Sequence, residues 1–307
     1  MRFKSVIIYS FLALFFALSV SAEAPKPETL KPYILGSTST GSVSAISAKT
    51  TAALKKQGFE LVGSYKPFAN AFVITVTNAE LKAAAAKARH GGFGVVQRVS
   101  VTRVKDEIQV AYVNPVYLGT AYGLGKLPKT KQMLKDALGN QLSFGSEDGI
   151  EANDLKPGSY HYKMMMPYFH DIDVLNTFEN YDTAVKTVEQ NLAAGKGGTM
   201  KVYRVDIPGK QISVFGVGIN KGDGIATGKK DTDKEITDIV DFKKYRHTAY
   251  LPYELMVTGS KVIALRGRYR IALHYPDTTM AGDHGFFEIM SSPKGIKNAL
   301  KAVAGNK

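Results

Sequence analysis

Residues 72–89 read FVITVTNAELKAAAAKAR, and their pattern changes from strand to helix at Asn78. The β-branched run before that asparagine is typical of a β-strand. Asparagine is a favoured N-cap, and Lys87, Arg89 and the Gly91–Gly92 pair follow the helical run in the order expected at a helix C-terminus. Because four consecutive alanines allow close packing, the stretch predicts a strand and then a helix lying on one face of a sheet.

Helix and strand signals alternate on both sides of this stretch. In the first half they predict a helix at 44–57, strands at 59–64 and 71–77, a hairpin of 95–104 with 108–113, and a helix at 129–138. In the second half they predict a helix at 181–192, strands at 200–205 and 211–216, a helix-like stretch at 233–245, strands at 253–258, 262–266 and 269–274, and a helix at 293–304. Since the order and spacing agree, we expect an α+β fold of two repeated domains, each an antiparallel sheet with helices on one face.

The N-terminal residues have the pattern of a bacterial-type secretory signal peptide. Arg2 and Lys4 precede a largely apolar run at 5–20. The small residues Val20 and Ala22 then stand at the positions that a signal peptidase recognises. We expect cleavage after Ala22 and a periplasmic or secreted protein. The alternative is an uncleaved anchor, but the apolar run is shorter than the roughly 20 residues that span a bilayer.

The domain boundaries follow from these patterns. We predict a signal peptide at 1–22, a first α+β repeat at 23–150, an inter-domain segment at 151–180, and a second repeat at 181–307 with a polar insert at 220–234. No later segment is apolar enough to span a bilayer, so we expect no transmembrane span after removal of the signal peptide.

The composition limits the chemistry available to the chain. The 307 residues are 44% hydrophobic and 22% charged, which is typical of a folded globular protein. They include no cysteine, which excludes thiol nucleophiles, disulfides, thiolate zinc sites, iron–sulfur clusters and a lipid attached to cysteine. The net charge of +13 is spread along the chain, so we expect attraction to acidic partners or to an envelope surface and no nucleic-acid site.

After the first predicted helix come a GFELV strand at 58–62, FVITVTNAELKAAA at 72–85 and a hairpin ending in Asn114–Pro115. This order resembles the domain-of-unknown-function 302 family, whose members place a Cys-Asn-Pro-like turn after the strand and a Leu-Pro-Cys element before the hairpin. Thr77-Asn78-Ala79 and Leu251-Pro252-Tyr253 stand at these two places. The resemblance covers nearly all of the chain after the signal peptide and implies two β-α-β4-α domains, as in the TATA-box-binding-protein group. Because the family cysteines are absent, a thiol or redox role cannot operate here.

No catalytic motif is matched along the chain. Gly216 and Gly218 lack the third glycine of a dinucleotide-binding fingerprint, and the glycine spacing at 222–228 is one residue too long for it. The run GSTSTG at 36–41 does not have the spacing of a nucleophile elbow. These mismatches favour a non-enzymatic protein.

The segment SYHYKMMMPYFHDID at 159–173 combines imidazole and thioether side chains. Soft thioethers together with imidazole are ligands that copper prefers. The residues His161, Met164, Met166 and His170 therefore form a candidate copper or other metal site. The alternative is an inter-domain strand whose methionines fill irregular gaps between the domains.

Arginines alternate along the predicted hairpin strands at 262–274 in the second repeat. Arg266, Arg268 and Arg270 share one side of this stretch, which predicts a solvent-facing or partner-facing basic surface. Tyr253, one of many tyrosines at strand and turn positions, adds an amphipathic ring of the kind found in ligand grooves and interfaces. The alternative is that these are ordinary solvated positions.

A third cluster lies around a proline-containing turn near the C-terminus. His274, Asp277, Asp283 and His284 fall within eleven residues, a spacing that suits a metal ligand set or acid–base chemistry. The alternative is a turn whose polar side chains hydrogen-bond locally.

These features lead to three functional hypotheses. The preferred one is an exported, non-enzymatic module that binds a partner protein or a small acidic or amphiphilic ligand through its basic surface. The second is a periplasmic copper or other metal carrier that uses the segment 159–173. The third is an enzyme that acts on an envelope component through the turn at 274–284.

Overall fold

The structure is a computed structural model that describes residues 27–220 and 231–306. Within these ranges the strands are β1 (Thr29–Leu30), β2 (Tyr33–Ser39), β3 (Glu60–Tyr65), β4 (Ala71–Thr77), β5 (Gln97–Val104), β6 (Glu107–Val113), β7 (Leu142–Phe144), β8 (Ile150–Glu151), β9 (Ile172–Thr177), β10 (Thr199–Asp206), β11 (Ile212–Ile219), β12 (Tyr253–Thr258) and β13 (Lys261–Leu265). The helices are α1 (Val43–Lys56), α2 (Ala79–Lys87), α3 (Pro115–Ala121), α4 (Pro128–Leu138), α5 (Tyr181–Ala193), α6 (Asp233–Val240), α7 (Gly267–His274) and α8 (Ser292–Val303).

Local capping explains where several helices begin. The Asn78 side chain accepts a hydrogen bond of 2.9 Å from the Leu81 backbone N–H, which confirms the predicted start of α2. Asn180 caps α5 in the same way through the Thr183 N–H. Thr232 begins α6 with a capping box, so the last residues of the predicted polar insert belong to a helix. The predicted signal peptide and residues 221–230 of the insert lie outside the described residues.

The two large sheets are antiparallel and have matching strand orders. The first has the order β3-β4-β5-β6-β2-β7, and the second has the order β10-β11-β12-β13-β9. The second sheet therefore repeats the first five positions of the first sheet. The edge strands β3 and β10 also share a bulge, because each has one extra residue in its pairing with the next strand, Val62 in β3 and Val202 in β10. The packed helices and antiparallel sheets confirm the predicted α+β class.

Helices cover the outer face of each large sheet. In the first half α1 and α4 pack on the sheet around Leu54, Ile74 and Leu134. In the second half α5 and α8 pack on the other sheet. The inner face of the first sheet, which carries Tyr33 and Val73, belongs to the same hydrophobic core as the second sheet. The two halves of the chain therefore share a core in addition to their own helix–sheet packing.

The contact between the halves is reciprocal. A 3₁₀ turn at Gly91–Gly94, between α2 and β5, packs on β11 and β12 of the second sheet. The turn at the same place in the second half, Thr248–Tyr250 between α6 and β12, packs on β4, β5 and β6 of the first sheet. Because each half places the same element on the other, the interface has the pattern of a two-fold, isologous contact.

The edge strands β3 and β10 also meet across this interface, and Gly63 permits their approach. A Cβ atom at Gly63 would lie 2.0 Å from the Val202 carbonyl oxygen. This oxygen belongs to the backbone of β10 and cannot move aside as a flexible side chain can. Gly63→Ala is therefore expected to force the strands apart and to lower the free energy of unfolding by about 2–3 kcal/mol. Urea unfolding followed by circular dichroism measures this. Gly158→Ala is the control, because nothing lies within 4 Å of its added methyl group, and equal losses in both variants would contradict the prediction.

Two assignments made from the sequence pattern are wrong. The predicted strand at 269–274 is the greater part of α7, and α6 occupies only the first eight residues of the predicted stretch 233–245. Residues 269–274 are all buried, and a helix buried on every side has no amphipathic period. The alternation of Arg266, Arg268 and Arg270 therefore resembles that of a strand.

The predicted inter-domain segment 151–180 contains strands of both halves. Glu151 lies in β8, which pairs with β1, and β9 forms an edge of the second sheet through its pairing with β13. Within residues 27–220 and 231–306, no helix has both the length and the apolar character needed to cross a membrane.

Candidate functional site

Three charged side chains meet in the core between the two sheets, and we call them the ionic centre. Glu254 on β12 accepts hydrogen bonds from Arg98 on β5 and, at 2.9 Å, from Nε of Arg270 on α7. All three side chains are almost completely buried. The Arg98 Nε also donates to the Ala249 carbonyl oxygen at 3.0 Å. One carboxylate is therefore held between two guanidinium groups, one from each half of the chain.

Arg98 and Glu254 stand at matching positions of the two sheets. In the first sheet Gly63 is the residue directly after the bulge in β3. It pairs with Thr75, which in turn pairs with Arg98. In the second sheet Tyr203 is the residue directly after the bulge in β10. It pairs with Gly216, which in turn pairs with Glu254. The same register position therefore carries opposite charges in the two halves, and these charges pair with each other across the interface.

His274 extends the ionic centre towards the first sheet. Its Nε2 lies 3.1 Å from Arg98 Nη2, and its Nδ1 lies 2.8 Å from the Tyr33 hydroxyl. Because arginine only donates, Nε2 accepts, so Nδ1 carries the proton and donates to the Tyr33 oxygen. Burial, and then the Arg98 charge, lower the pKa of His274 well below its usual value. This histidine is therefore neutral and links the two halves.

The ionic centre corrects two of the predicted ligand-binding residues. Arg270 and Tyr253 are fully buried here instead of lying on a basic surface. The physical reason is that Arg270 extends from a buried helix and not from a sheet face, and its guanidinium lies 5.0 Å from the centre of the Tyr253 ring. These side chains hold the two sheets together, and neither is open to solvent for a ligand.

A cavity of about 230 Å³ lies at the edge of the same interface, and we call it the His247 cavity. Its basic neighbour Arg246 predicts a surface position for His247, but this residue is buried, and its Nδ1 lies 3.0 Å from the His274 carbonyl oxygen. Burial lowers the pKa of His247 to about 3 and raises that of Asp241, whose Oδ1 accepts from the His247 N–H, to about 7. Both side chains are therefore less charged than they are in water.

The structure separates the four residues of the predicted C-terminal cluster. His274 lies in the ionic centre, whereas Asp277 and His284 line the His247 cavity. Asp277 accepts hydrogen bonds of 2.8 Å from the Ser146 hydroxyl and from the Glu147 N–H. His284 stacks on a phenylalanine ring, and Asp283 is exposed and is not among the lining residues.

A second concave site is an apolar groove on the second half, and we call it the Arg268 groove. Its volume is about 220 Å³, and its lining residues are Met166, Arg268, Ile271, Met280, Phe286, Phe287, Ile289, Met290 and Pro293. Three of them are unusually exposed for apolar side chains, namely Met280 (40%), Phe287 (52%) and Met290 (61%).

Local contacts hold the walls of the groove in place. The Tyr162 hydroxyl donates to the Thr278 carbonyl oxygen, and the Tyr162 ring meets Phe286 edge-on at 5.1 Å. The backbone N–H groups of Phe286 and Phe287 donate to the segment 279–280 at 2.9 Å. The segment that joins the two halves therefore supports one wall.

The two exposed arginines of the predicted basic surface differ in their surroundings. Arg268 lines the apolar groove, whereas Arg266 precedes α7 as its N-cap residue and does not line the groove. Among the described residues neither side chain takes part in a hydrogen bond or an ion pair, and both are exposed. Arg268 is therefore the available cation at the groove.

The predicted copper ligands are held by separate contacts. His161 Nδ1 lies 2.9 Å from the Lys163 carbonyl oxygen, and Met164 is 83% exposed. Met166 lines the Arg268 groove, and His170 lies against His90. In the part of the chain that the structure describes, no group of three or more His, Cys, Asp or Glu side chains is placed to hold a metal ion.

Comparison of the chain with protein-family models, with curated proteins and with solved structures finds no match. The resemblance to the domain-of-unknown-function 302 family therefore stays a prediction from the order of the elements.

Proposed function

We propose that the protein is an exported, non-enzymatic binding module that takes a single-chain amphiphilic anion in the Arg268 groove. The observation that carries this proposal is an open apolar groove with one unpaired cation on its wall. The apolar chain of the ligand lies against the methionines and phenylalanines, and its acidic head group meets the guanidinium of Arg268.

The apolar lining supports binding of a hydrocarbon chain. Met280, Phe287 and Met290 keep much of their apolar surface in water, which is unfavourable unless a ligand or partner covers it. Methionine side chains are flexible and polarisable, so they adapt to chains of different shape. Covering this surface provides the hydrophobic part of the binding free energy, at about 25 cal/mol per Å².

The charge of Arg268 supports an acidic head group. A guanidinium matches a carboxylate or phosphate with two parallel hydrogen bonds, and charge-assisted bonds of this kind contribute about 1.5–3 kcal/mol. After removal of residues 1–22, which contain Arg2 and Lys4 and no acidic residue, the net charge is still +11 and adds a long-range attraction for anions. Head group and chain are therefore recognised by adjacent parts of one groove.

The lining also favours binding over catalysis. Among the described residues that form the groove, Arg268 is the only one with an ionisable side chain. General acid–base catalysis needs a side chain that exchanges a proton near neutral pH, and arginine does not do so. The groove can hold a ligand without transforming it.

Calorimetric titration with decanoate tests the head group. Arg268→Gln is expected to weaken decanoate binding by at least about tenfold, because one charge-assisted pair is lost. Arg266→Gln removes the same charge two residues away and is expected to leave the affinity within about twofold. Decanol, which has no charge, should bind wild type and Arg268→Gln equally.

Two further results decide the proposal. Met290→Ser is expected to weaken both decanoate and decanol, since it removes apolar lining that they share. Equal affinity of wild-type protein, Arg268→Gln and Met290→Ser for decanoate would overturn the assignment of the groove. Equal losses in Arg266→Gln and Arg268→Gln would show that only the general positive charge acts.

A further inference from the structure

Two histidines from distant parts of the chain meet beside the joining segment. His90 follows α2 in the first half, and His170 precedes β9 of the second. Their Nδ1 atoms are 3.4 Å apart, and both rings are partly exposed. This pair is separate from the Arg268 groove and from the ionic centre.

The distance between the two nitrogens is long for a hydrogen bond but suits a shared metal ion. Hydrogen bonds donated by N–H groups are normally about 2.7–3.2 Å long. Two ligands at about 2.05 Å from a zinc ion, separated by the tetrahedral angle, lie about 3.3–3.4 Å apart. Adjacent ligands of a square-planar ion at the same bond length lie about 2.9 Å apart, so the spacing favours the tetrahedral ion.

Buried aromatic packing holds both rings at this distance. Phe169 lies 5.0 Å from the His170 ring and 6.3 Å from the His90 ring, measured between centroids. Phe169 is itself fully buried and stacks on Tyr122 at 4.6 Å. The histidines therefore need little rearrangement to share a ligand.

Both imidazoles are neutral at pH 7 and so are able to bind a metal. Burial lowers the pKa of His90 to about 4 and lowers that of His170. Metal ligands must be deprotonated, so no proton has to leave on binding. Arg89 contributes to the lowering of both pKa values and is the nearby cation that opposes a bound metal.

We propose that His90 and His170 form a two-histidine zinc site, with water completing a tetrahedral coordination sphere. The ion joins the end of α2 to the segment that carries Met166 into the Arg268 groove. This site shares only His170 with the set expected for a copper site, since His161, Met164 and Met166 take no part.

Calorimetric titration of the purified full-length chain with Zn²⁺ tests the proposal. Wild-type protein is expected to bind one Zn²⁺, and His90→Asn and His170→Ala are each expected to weaken binding by at least about tenfold. Asparagine is chosen because residue 90 has a φ of 56°, which asparagine tolerates. His284→Ala, which removes an exposed histidine elsewhere, is the matched control and should bind as wild type does.

Further variants distinguish coordination by the two histidines from nonspecific binding of Zn²⁺ to the protein surface. Arg89→Gln is expected to tighten Zn²⁺ binding, because it removes the opposing charge without touching the ligands. Zn²⁺ should also raise the midpoint of thermal unfolding of wild type and not of His170→Ala. Unchanged affinity in both histidine variants would overturn the proposal, as would loss of binding in His161→Ala or Met164→Ala.

Discussion

Glu254→Gln is expected to lower the free energy of unfolding by about 3–5 kcal/mol. The substitution preserves the shape of the side chain but removes the negative charge that lies between Arg98 and Arg270. Both guanidinium groups are then buried without a counter-charge, and neither can lose its proton to escape this penalty. Urea unfolding followed by circular dichroism at pH 7 measures the change.

A surface carboxylate with the same kind of partners is the control. Glu189 lies between Lys201 and Arg204, but its side chain is partly exposed. Glu189→Gln is expected to change the free energy of unfolding by less than about 1 kcal/mol, since water screens these charges. If Glu254→Gln had an effect as small as this, the ionic centre would not be what joins the two sheets.

Asp241→Asn is expected to gain stability relative to the wild-type protein as the pH rises from 4 to 7. Burial raises the pKa of Asp241 to about 7 in the folded protein, from its ordinary value of 3.8. The contribution of the protonated carboxyl to the free energy of unfolding is therefore complete below about pH 4. It is lost as the pH rises through 7. The variant lacks this dependence, so the difference grows by about 1.4 kcal/mol per pH unit, to a total of about 4 kcal/mol.

The measurement is a series of urea unfolding curves at pH values from 4 to 7.5. Taking the difference between variant and wild type removes the common effects of Asp233, whose pKa burial also raises to about 7, and of the buried histidines. Asp106→Asn, in the exposed turn between β5 and β6, is the control and should run parallel to the wild-type curve. A pH-independent difference for Asp241→Asn would mean that this carboxyl is ionised in the folded protein.

Much of the secondary structure could be predicted because its signals are local. Asn78 and Gly58 lie at helix ends where the capping and turn preferences place them. The hairpins have two-residue turns at Lys105–Asp106 and Gly259–Ser260, where the sequence breaks its strand pattern. Such preferences act over a few residues, so one sequence is enough to identify them.

The sequence pattern predicts a strand where the structure has α7, and complete burial is the physical reason for this error. Every residue from 269 to 274 is buried, so neither a period of two nor a helical period separates an inside from an outside. Position in the fold is the better guide, because α3 follows the hairpin of the first half as α7 follows the hairpin of the second. The sequence pattern predicts neither helix, so only the structure shows this correspondence.

The candidate sites depend on contacts between distant residues. The sequence predicts ligand-binding roles for both Arg268 and Met166, but in different sites, and only packing places them in one groove. The local pattern indicates only that His90 lies at a helix end. Nothing near it in the sequence indicates its contact with His170, eighty residues later. A pattern at the surface of one element does not show which other element covers it.

The sequence by itself determined the α+β class and most of the helices and strands, since capping, turns and periodicity are properties of neighbouring residues, but it did not reveal β2, α3 or β9. Only the tertiary structure decided which charged side chains are buried. Arg98 and Glu254 are 156 residues apart, and each would be an ordinary polar strand residue in a sheet with one solvated face. They are buried because the inner faces of the two sheets pack against each other, and a buried charge is stable only when its partner is delivered to the same place.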